Sequence, residues 1–290
     1  MPALMTQGLS AMVGAVAARV LGGARRSRPE VSTVEFSIPD LGPAFDGYTI
    51  VVLADLHHPP SQDVRWLQDV VDIANAAKPD VIALLGDYAT SFRRTPSMSR
   101  MWYRIALNAM ASVCEGFRTR DGVIAVLGNH DYYADAEHVQ RWLRGIGADV
   151  LVNEARLIDR GGSRLRIAGM DDVIEGALDV RAGCTVGEEL PTIVLTHHPD
   201  AILHLASDVR IDVMLAGHTH GGQVVIPGYG AVLTMSRVCR RRTASGWVPN
   251  DRAALYVSRG VGAQLPLPIR LNCPAEILVL RLRAGPQHPL

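Results

Sequence analysis

Five short clusters along the chain carry side chains able to hold a metal ion: Asp55-Leu56-His57, Gly86-Asp87, Gly128-Asn129-His130-Asp131, His197-His198-Pro199 and Gly217-His218-Thr219-His220. They supply carboxylates, an amide and imidazoles, with no thiolate among them. Such donors suit borderline-hard divalent ions, Mn2+, Fe2+ or Zn2+, and need no soft sulfur ligand. Together they exceed what a single ion takes. Two ions about 3.5–4 Å apart, sharing one bridging carboxylate, would use them all and form a clamp for phosphoryl transfer. The last cluster is the most telling, because two histidines two residues apart, set in glycines behind an apolar run, are not explained by core packing.

Each cluster alone has an ordinary reading. An isolated D-x-H is more often a capping aspartate beside a histidine with no special role, Gly-Asp is more often a turn, and Asn-His-Asp could be a hydrogen-bonded turn. Their shared position decides the matter. Each follows an apolar run of buried-strand type: Thr49–Ala54, Val81–Leu85, Val123–Leu127, Ile193–Leu195 and Val213–Leu215. Helical periodicity between the runs predicts helices over Val64–Ala77, Ser99–Val113, Asp135–Arg144 and, more briefly, Asp200–Ala206. Shorter strands are expected at Val150–Val152, Leu157–Asp159 and Leu165–Ala168. Alternating strands and helices imply a layered α/β domain, in which loops at the carboxyl ends of strands gather at one rim. Five successive strand ends then deliver the five clusters to one place.

The order D-L-H, G-D, G-N-H-D, H-x-P, G-H-T-H resembles the calcineurin-like metallophosphoesterases, over roughly Tyr48 to Leu282. Gly128–Tyr133, Gly169-Met170-Asp171-Asp172, Gly217–Gln223 and Ser258-Arg259-Gly260-Val261-Gly262 resemble a bacterial branch of membrane-associated phosphodiesterases, which includes UDP-2,3-diacylglucosamine hydrolases. The resemblance implies two facing mixed β-sheets flanked by helices, a four-layer αββα sandwich. It implies that Asp55, His57 and His220 hold one ion, that Asn129, His197 and His218 hold the other, and that Asp87 bridges them. His130 would stay off the metals as an electrostatic or general-acid group, with Asp131 orienting it through a hydrogen bond. The implied reaction is in-line attack on phosphorus by a metal-bridging hydroxide. His58 and His198 fall outside the pattern and are not expected to be ligands.

Composition narrows the substrate. With 29 acidic and 29 basic side chains the formal charge balances, so no nucleic-acid partner is expected and a nuclease of the same superfamily is the second choice. A non-catalytic metal-binding scaffold is the third, and it would have no need for His130. The expected partner is a phosphate ester, small or lipid-linked. Cys114, Cys184, Cys239 and Cys273 form no C-x-x-C pair and read as free thiols, consistent with a cytoplasmic protein that is membrane-associated at most. Residues 1–30 form an apolar, amphipathic segment and linker ahead of a catalytic domain over 31–290. Leu9–Ala24 is too short and too interrupted to span a bilayer, and a helix lying on a membrane surface, a helix packed on the domain and a frayed tail all stay open. Tyr88–Arg104 reads as a helix start or a lid, Arg237–Arg242 as a basic cluster that steers anions or is simply solvated, and Leu265-Pro266-Leu267-Pro268 as a rigid apolar loop.

Overall fold

The run Thr49-Ile50-Val51-Val52-Leu53 is buried at every position, which a strand achieves only when both faces of its sheet are covered. A computed structural model describes residues 28–58, 64–91, 96–181, 183–184, 189–264 and 269–286. The Leu9–Ala24 stripe, Phe92, Arg93 and Arg94 of the lid stretch, and Leu265–Pro268 lie outside the described residues. Within them the order begins β1 (Glu30–Ile38), β2 (Thr49–Leu53), helix α1 (Arg65–Ala76), β3 (Val81–Leu84), helix α2 (Pro96–Cys114) and β4 (Val123–Ala125). Helices α3 (Asn129–Ala134) and α4 (Ala136–Gly145) follow, then β5 (Ala148–Val150), β6 (Glu154–Arg160), β7 (Ser163–Gly169) and β8 (Thr192–Leu195). After a 3-10 turn at Pro199–His204 come β9 (Val213–Ala216), the small hairpin β10 (Val225–Ile226) and β11 (Gly230–Ala231), β12 (Gly246–Val248), β13 (Ala254–Val257) and β14 (Glu276–Ala284).

The strands form two six-stranded mixed sheets, ordered β1-β14-β2-β3-β4-β5 and β12-β13-β9-β8-β7-β6. β2, β3, β4 and β5 run parallel in the first, and β7, β8, β9 and β13 in the second. Alternation sorts their side chains. Ile50, Val52, Val81 and Ala83 face the second sheet and meet Ile193, Leu195, Val213 and Leu215, while Val51, Leu53, Ile82 and Leu84 face the helices. Helix α1 presents Leu67, Val70, Val71 and Ala74 to that outer core, all fully buried, each of the larger three contributing about 1.5–3 kcal/mol. It stops at Lys78, which turns into positive φ just before Pro79. The outer face of the second sheet is covered, among the described residues, by the Pro199–His204 turn and loops that pack Met170, Ala201, Ile202 and Cys239 on Val194, Met214 and Ala216.

The helices and buried strands fall where periodicity places them, with shifted ends: β5 lies two residues earlier than expected and β6 is longer. Asn129–Ala134 forms a short helix ahead of the one expected from Asp135. β1, β12, β13 and β14 were not singled out by the pattern. β1 alternates exposed and half-buried positions and finds its partner β14 at the far end of the chain, in parallel register from Glu30 opposite Glu276. All four cysteines are free and buried. Among the described residues no helix is long and apolar enough to cross a membrane.

Candidate metal centre

The parallel arrangement brings the five clusters to one rim, and their backbones are bent to do it. Asp55, His57, Asp87, His218 and His220 all have positive φ, from 40° to 68°. For a residue with a Cβ that conformation costs about 1–2 kcal/mol, and Asp and His tolerate it better than most. Gly128 lets these turns approach each other, since a Cβ there would stand 2.3 Å from Asp87 Oδ1 and 2.8 Å from His197 Nδ1. Gly260, at φ +69°, abuts Asp55 in the same way. The Ser258–Gly262 segment braces the Asp55 turn, because Val261 and Gly262 donate their amides to the Ala54 and Asp55 carbonyls.

The side chains gather in two groups. In the first, His57 Nε2 lies 3.1 Å from His220 Nε2, and His220 Nε2 lies 3.5 Å from Asp55 Oδ1. In the second, Asn129 Oδ1, His197 Nε2 and His218 Nδ1 are mutually 3.0–3.2 Å apart. Asp87 stands between them, its Oδ2 3.4 Å from His57 Nε2 and 3.3 Å from His197 Nε2. Atoms bound to one ion at about 2.0–2.2 Å, with tetrahedral to octahedral angles, are about 2.8–3.6 Å apart. The spacings in both groups fit that range. His197 Nδ1 donates to the Leu85 carbonyl at 2.8 Å, which leaves Nε2 aimed at the second group. The His218 amide donates to Asp55 at 3.0 Å and ties the two groups through the backbone.

Burial governs the protonation of this cluster. Desolvation pushes the Asp55 carboxyl up to about 7, reinforced by the Asp87 charge and opposed by His197. Asp87 resists the same desolvation because His197 and His130 surround it, and it stays well below the usual carboxylate range. His197 is held well above the imidazole range despite burial, chiefly by Asp87. Desolvation and neighbouring imidazoles push His218 and His220 well below it. Near neutral pH the metal-free cluster therefore keeps protons on His197 and partly on Asp55, and an arriving cation displaces them. Titrating Mn2+ into metal-free protein in buffers of different ionisation heat is expected to show release of about one to two protons per chain, with affinity falling as pH is lowered, first through the raised range of His197 and then through about 7 as Asp55 protonates. Absence of proton release would contradict this distribution.

His130 is buried beside the first group, its ring 4.8 Å from that of His57. Ser91 and Gln264 hold it: Nδ1 is 3.3 Å from the Ser91 amide and Nε2 is 3.0 Å from Gln264 Nε2. The expectation that Asp131 orients His130 is not met. Asp131 is the third residue of α3, and its carboxylate folds back onto the Gly128 amide at 2.6 Å, the capping geometry of a helix start. The same carboxylate accepts from the Asp87 and Tyr88 amides and from the Tyr103 hydroxyl, so it binds the second cluster to the third instead. Tyr103 is thus a buried prop, although Met98, Met101 and Trp102 on the same helix are exposed. His58 and His198 are buried next to the groups, and the His198 ring packs 4.0 Å from that of His218.

Sequence reasoning passed over Arg270. Its guanidinium donates to the carbonyls of His220, Arg259, Gly260 and Gly262, clamping the turn that carries His220 to the segment that fixes Asp55. Nothing in its neighbourhood along the chain marks it, because its partners are backbone atoms of distant segments.

The calcineurin-like phosphoesterase family model matches residues 48–222, a span that contains every residue of both groups. The chain belongs to this family. Its relatives include the uncharacterized metallophosphoesterase YkuE of Bacillus subtilis, 29% identical over 96% of this chain and 97% of that protein. Phosphodiesterase YaeI of Escherichia coli is 30% identical over 81% of this chain and 82% of its own length. A transmembrane protein with a metallophosphoesterase domain from Danio rerio is 29% identical over 88% of this chain, which spans 57% of that relative. As a family member with this cluster, the protein is a metal-dependent phosphoric ester hydrolase with a binuclear centre.

Proposed function

We propose that the protein hydrolyses phosphodiesters of small or lipid-linked substrates with Asp55, His57 and His220 holding one ion, Asn129, His197 and His218 the other, and Asp87 both. The observation that carries this reading is the position of Asp87 Oδ2, within 3.4 Å of a histidine nitrogen from each group. Oxygen and imidazole donors without thiolate favour Mn2+, with Fe2+ or Zn2+ as substitutes. Two such ions, when bound, supply positive charge to the phosphoryl oxygens and make a coordinated water more acidic. The chain's own contribution is to hold the pair in a rigid, buried rim and to place His130 at its edge. From there His130 stabilises charge on the phosphoryl group or passes a proton to the departing oxygen.

The preference for diesters is supported by the relative named phosphodiesterase. Peripheral membrane contact through residues 1–30 belongs to the same proposal, supported by the apolar stripe of that segment and by relatives named as transmembrane proteins. Binding of the full chain, but not of a chain starting at residue 30, to liposomes is its test. A metal-reconstituted activity panel spanning phosphomonoesters, nucleotide-sugar lipids, cyclic nucleotides, phosphoproteins and single-stranded DNA tests the substrate class, and turnover confined to DNA would favour the nuclease reading. His130→Ala is expected to lower kcat about 10²–10⁴-fold with both ions retained. Loss of an ion in that variant would place His130 among the ligands.

A further inference from the structure

The β10–β11 hairpin forms a small sheet of its own and holds large apolar side chains in water. Ile226, Tyr229, Val232 and Leu233 are 39%, 45%, 43% and 64% exposed. Ile226 stands opposite Gly230, two residues before Val232, so Ile226 and Val232 share the face that points away from buried Ala231. Large apolar groups gathered on one exposed element mark an interaction surface.

The flank of the hairpin is cationic. Between Asp212 and Asp251 the chain has no acidic residue, whereas Arg240, Arg241 and Arg242 follow one another and are all exposed. They are fixed against the hairpin. The Arg242 guanidinium donates to the Gly228 carbonyl at 3.1 Å, that of Arg241 lies 4.1 Å from the centre of the Tyr229 ring, and the Ala231 amide donates to the Arg241 carbonyl at 2.7 Å. A cavity of about 560 Å³ opens between hairpin and arginine loop, and among the described residues its lining includes Arg241, Arg242 and Arg259 but no acidic side chain. Arg259 pairs with Glu30 and Glu276 through Nη2, and its buried Nε has no acceptor among the described residues.

Aliphatic side chains beside guanidinium groups identify the occupant. Nucleic acid would engage the arginines and leave Ile226, Val232 and Leu233 in water. An anionic bilayer takes both, its acyl boundary receiving the apolar groups and its phosphates the cations. We propose that the β10–β11 hairpin docks the protein on an anionic lipid surface, with Ile226, Val232 and Leu233 entering the bilayer interface and Arg240, Arg241 and Arg242 binding lipid phosphates. This contact is separate from that of the N-terminal segment. Because β10 starts two residues after Gln223 of the histidine turn, docking would set the metal centre beside the lipid. Only that consequence rests on the hydrolase reading.

The test is co-sedimentation of the Mn2+-loaded full chain with vesicles of phosphatidylcholine alone or of equal parts phosphatidylcholine and phosphatidylglycerol. Binding should be tighter on the anionic vesicles. The triple variant Arg240→Gln/Arg241→Gln/Arg242→Gln should lose on the order of 10²-fold in affinity there, with binding to phosphatidylcholine alone unchanged. Ile226→Ser/Leu233→Ser should weaken binding to both by about tenfold. All five side chains are exposed, so the fold should tolerate both variants, which thermal unfolding checks. Amide hydrogen exchange over residues 224–242 should slow on the anionic vesicles, a response that contact through residues 1–30 alone does not produce. Equal affinity for the two vesicle types in the unaltered protein, binding unaffected by either variant, or protection confined to residues 1–30 would overturn the proposal. Absence of vesicle binding would overturn it too and assign the hairpin to a protein partner. Failure of the unaltered protein to hydrolyse methyl p-nitrophenyl phosphate with added metal would count against the hydrolase reading alone.

Discussion

Asp87→Asn is expected to remove metal-dependent phosphodiester hydrolysis, by on the order of 10³-fold or more in kcat/KM, while leaving the fold in place. Asparagine keeps the shape and retains an oxygen that can accept the His130 amide, as Asp87 Oδ1 does at 2.8 Å. It lacks the negative charge between His57 and His197, and its NH2 group would point hydrogens at whatever cation lies there. The site is almost wholly buried, so solvent cannot substitute for the missing charge. Kinetics on an aryl phosphodiester at matched metal content, beside thermal unfolding of both proteins, separates loss of chemistry from loss of structure. Near-normal turnover would show that Asp87 is not shared between two ions.

Arg270→Ala should be the costliest single change outside the two groups. Five backbone carbonyls accept from this guanidinium, those of His220, Arg259, Gly260, Gly262 and Cys273, and its removal leaves them without a donor in a part-buried site. A destabilisation of about 3–4 kcal/mol is expected, lowering Tm by about 6–10 °C. Because the clamp joins the His220 turn to the Gly260–Gly262 segment behind Asp55, affinity for the first ion should fall together with activity. Arg270→Lys should recover little, since one ammonium cannot serve carbonyls spread around a planar fork. Calorimetric unfolding and Mn2+ affinity measured on the same samples check this; a stable Arg270→Ala protein with unchanged metal affinity would assign Arg270 to the surface.

The physics that made part of this molecule legible from its sequence also hid the rest. β2, β3, β8 and β9 are covered on both faces, so their codes are largely unbroken apolar runs, and the turns after β2, β3 and β9 need Asp, His and Gly because those residues accept positive φ. Local rules suffice there. β1 and β14 pair across the length of the chain, and no local pattern announces that Glu30 lies opposite Glu276. Arg270 is invisible for the same reason. Asp131 illustrates a subtler limit: the family resemblance implied that it orients His130 through a hydrogen bond, but a helix begins at Asn129, and a carboxylate at its third position turns back to its own amino end. The Gly-His-Thr-His turn was readable as a metal motif. The direction of its histidines was not derivable from spacing alone, and His220 points to His57 while His218 points to His197 and Asn129.

That division between His218 and His220 is open to direct measurement. Metal-free protein titrated with Mn2+, followed by bound-metal analysis and electron paramagnetic resonance, should take up two ions per chain and give the spin-coupled signal of a pair about 3.5–4 Å apart. His218→Ala and His220→Ala should each retain one ion and lose the coupling. A single uncoupled ion at saturation in the unaltered protein, or loss of the same ion in both variants, would contradict a two-metal centre bridged by Asp87.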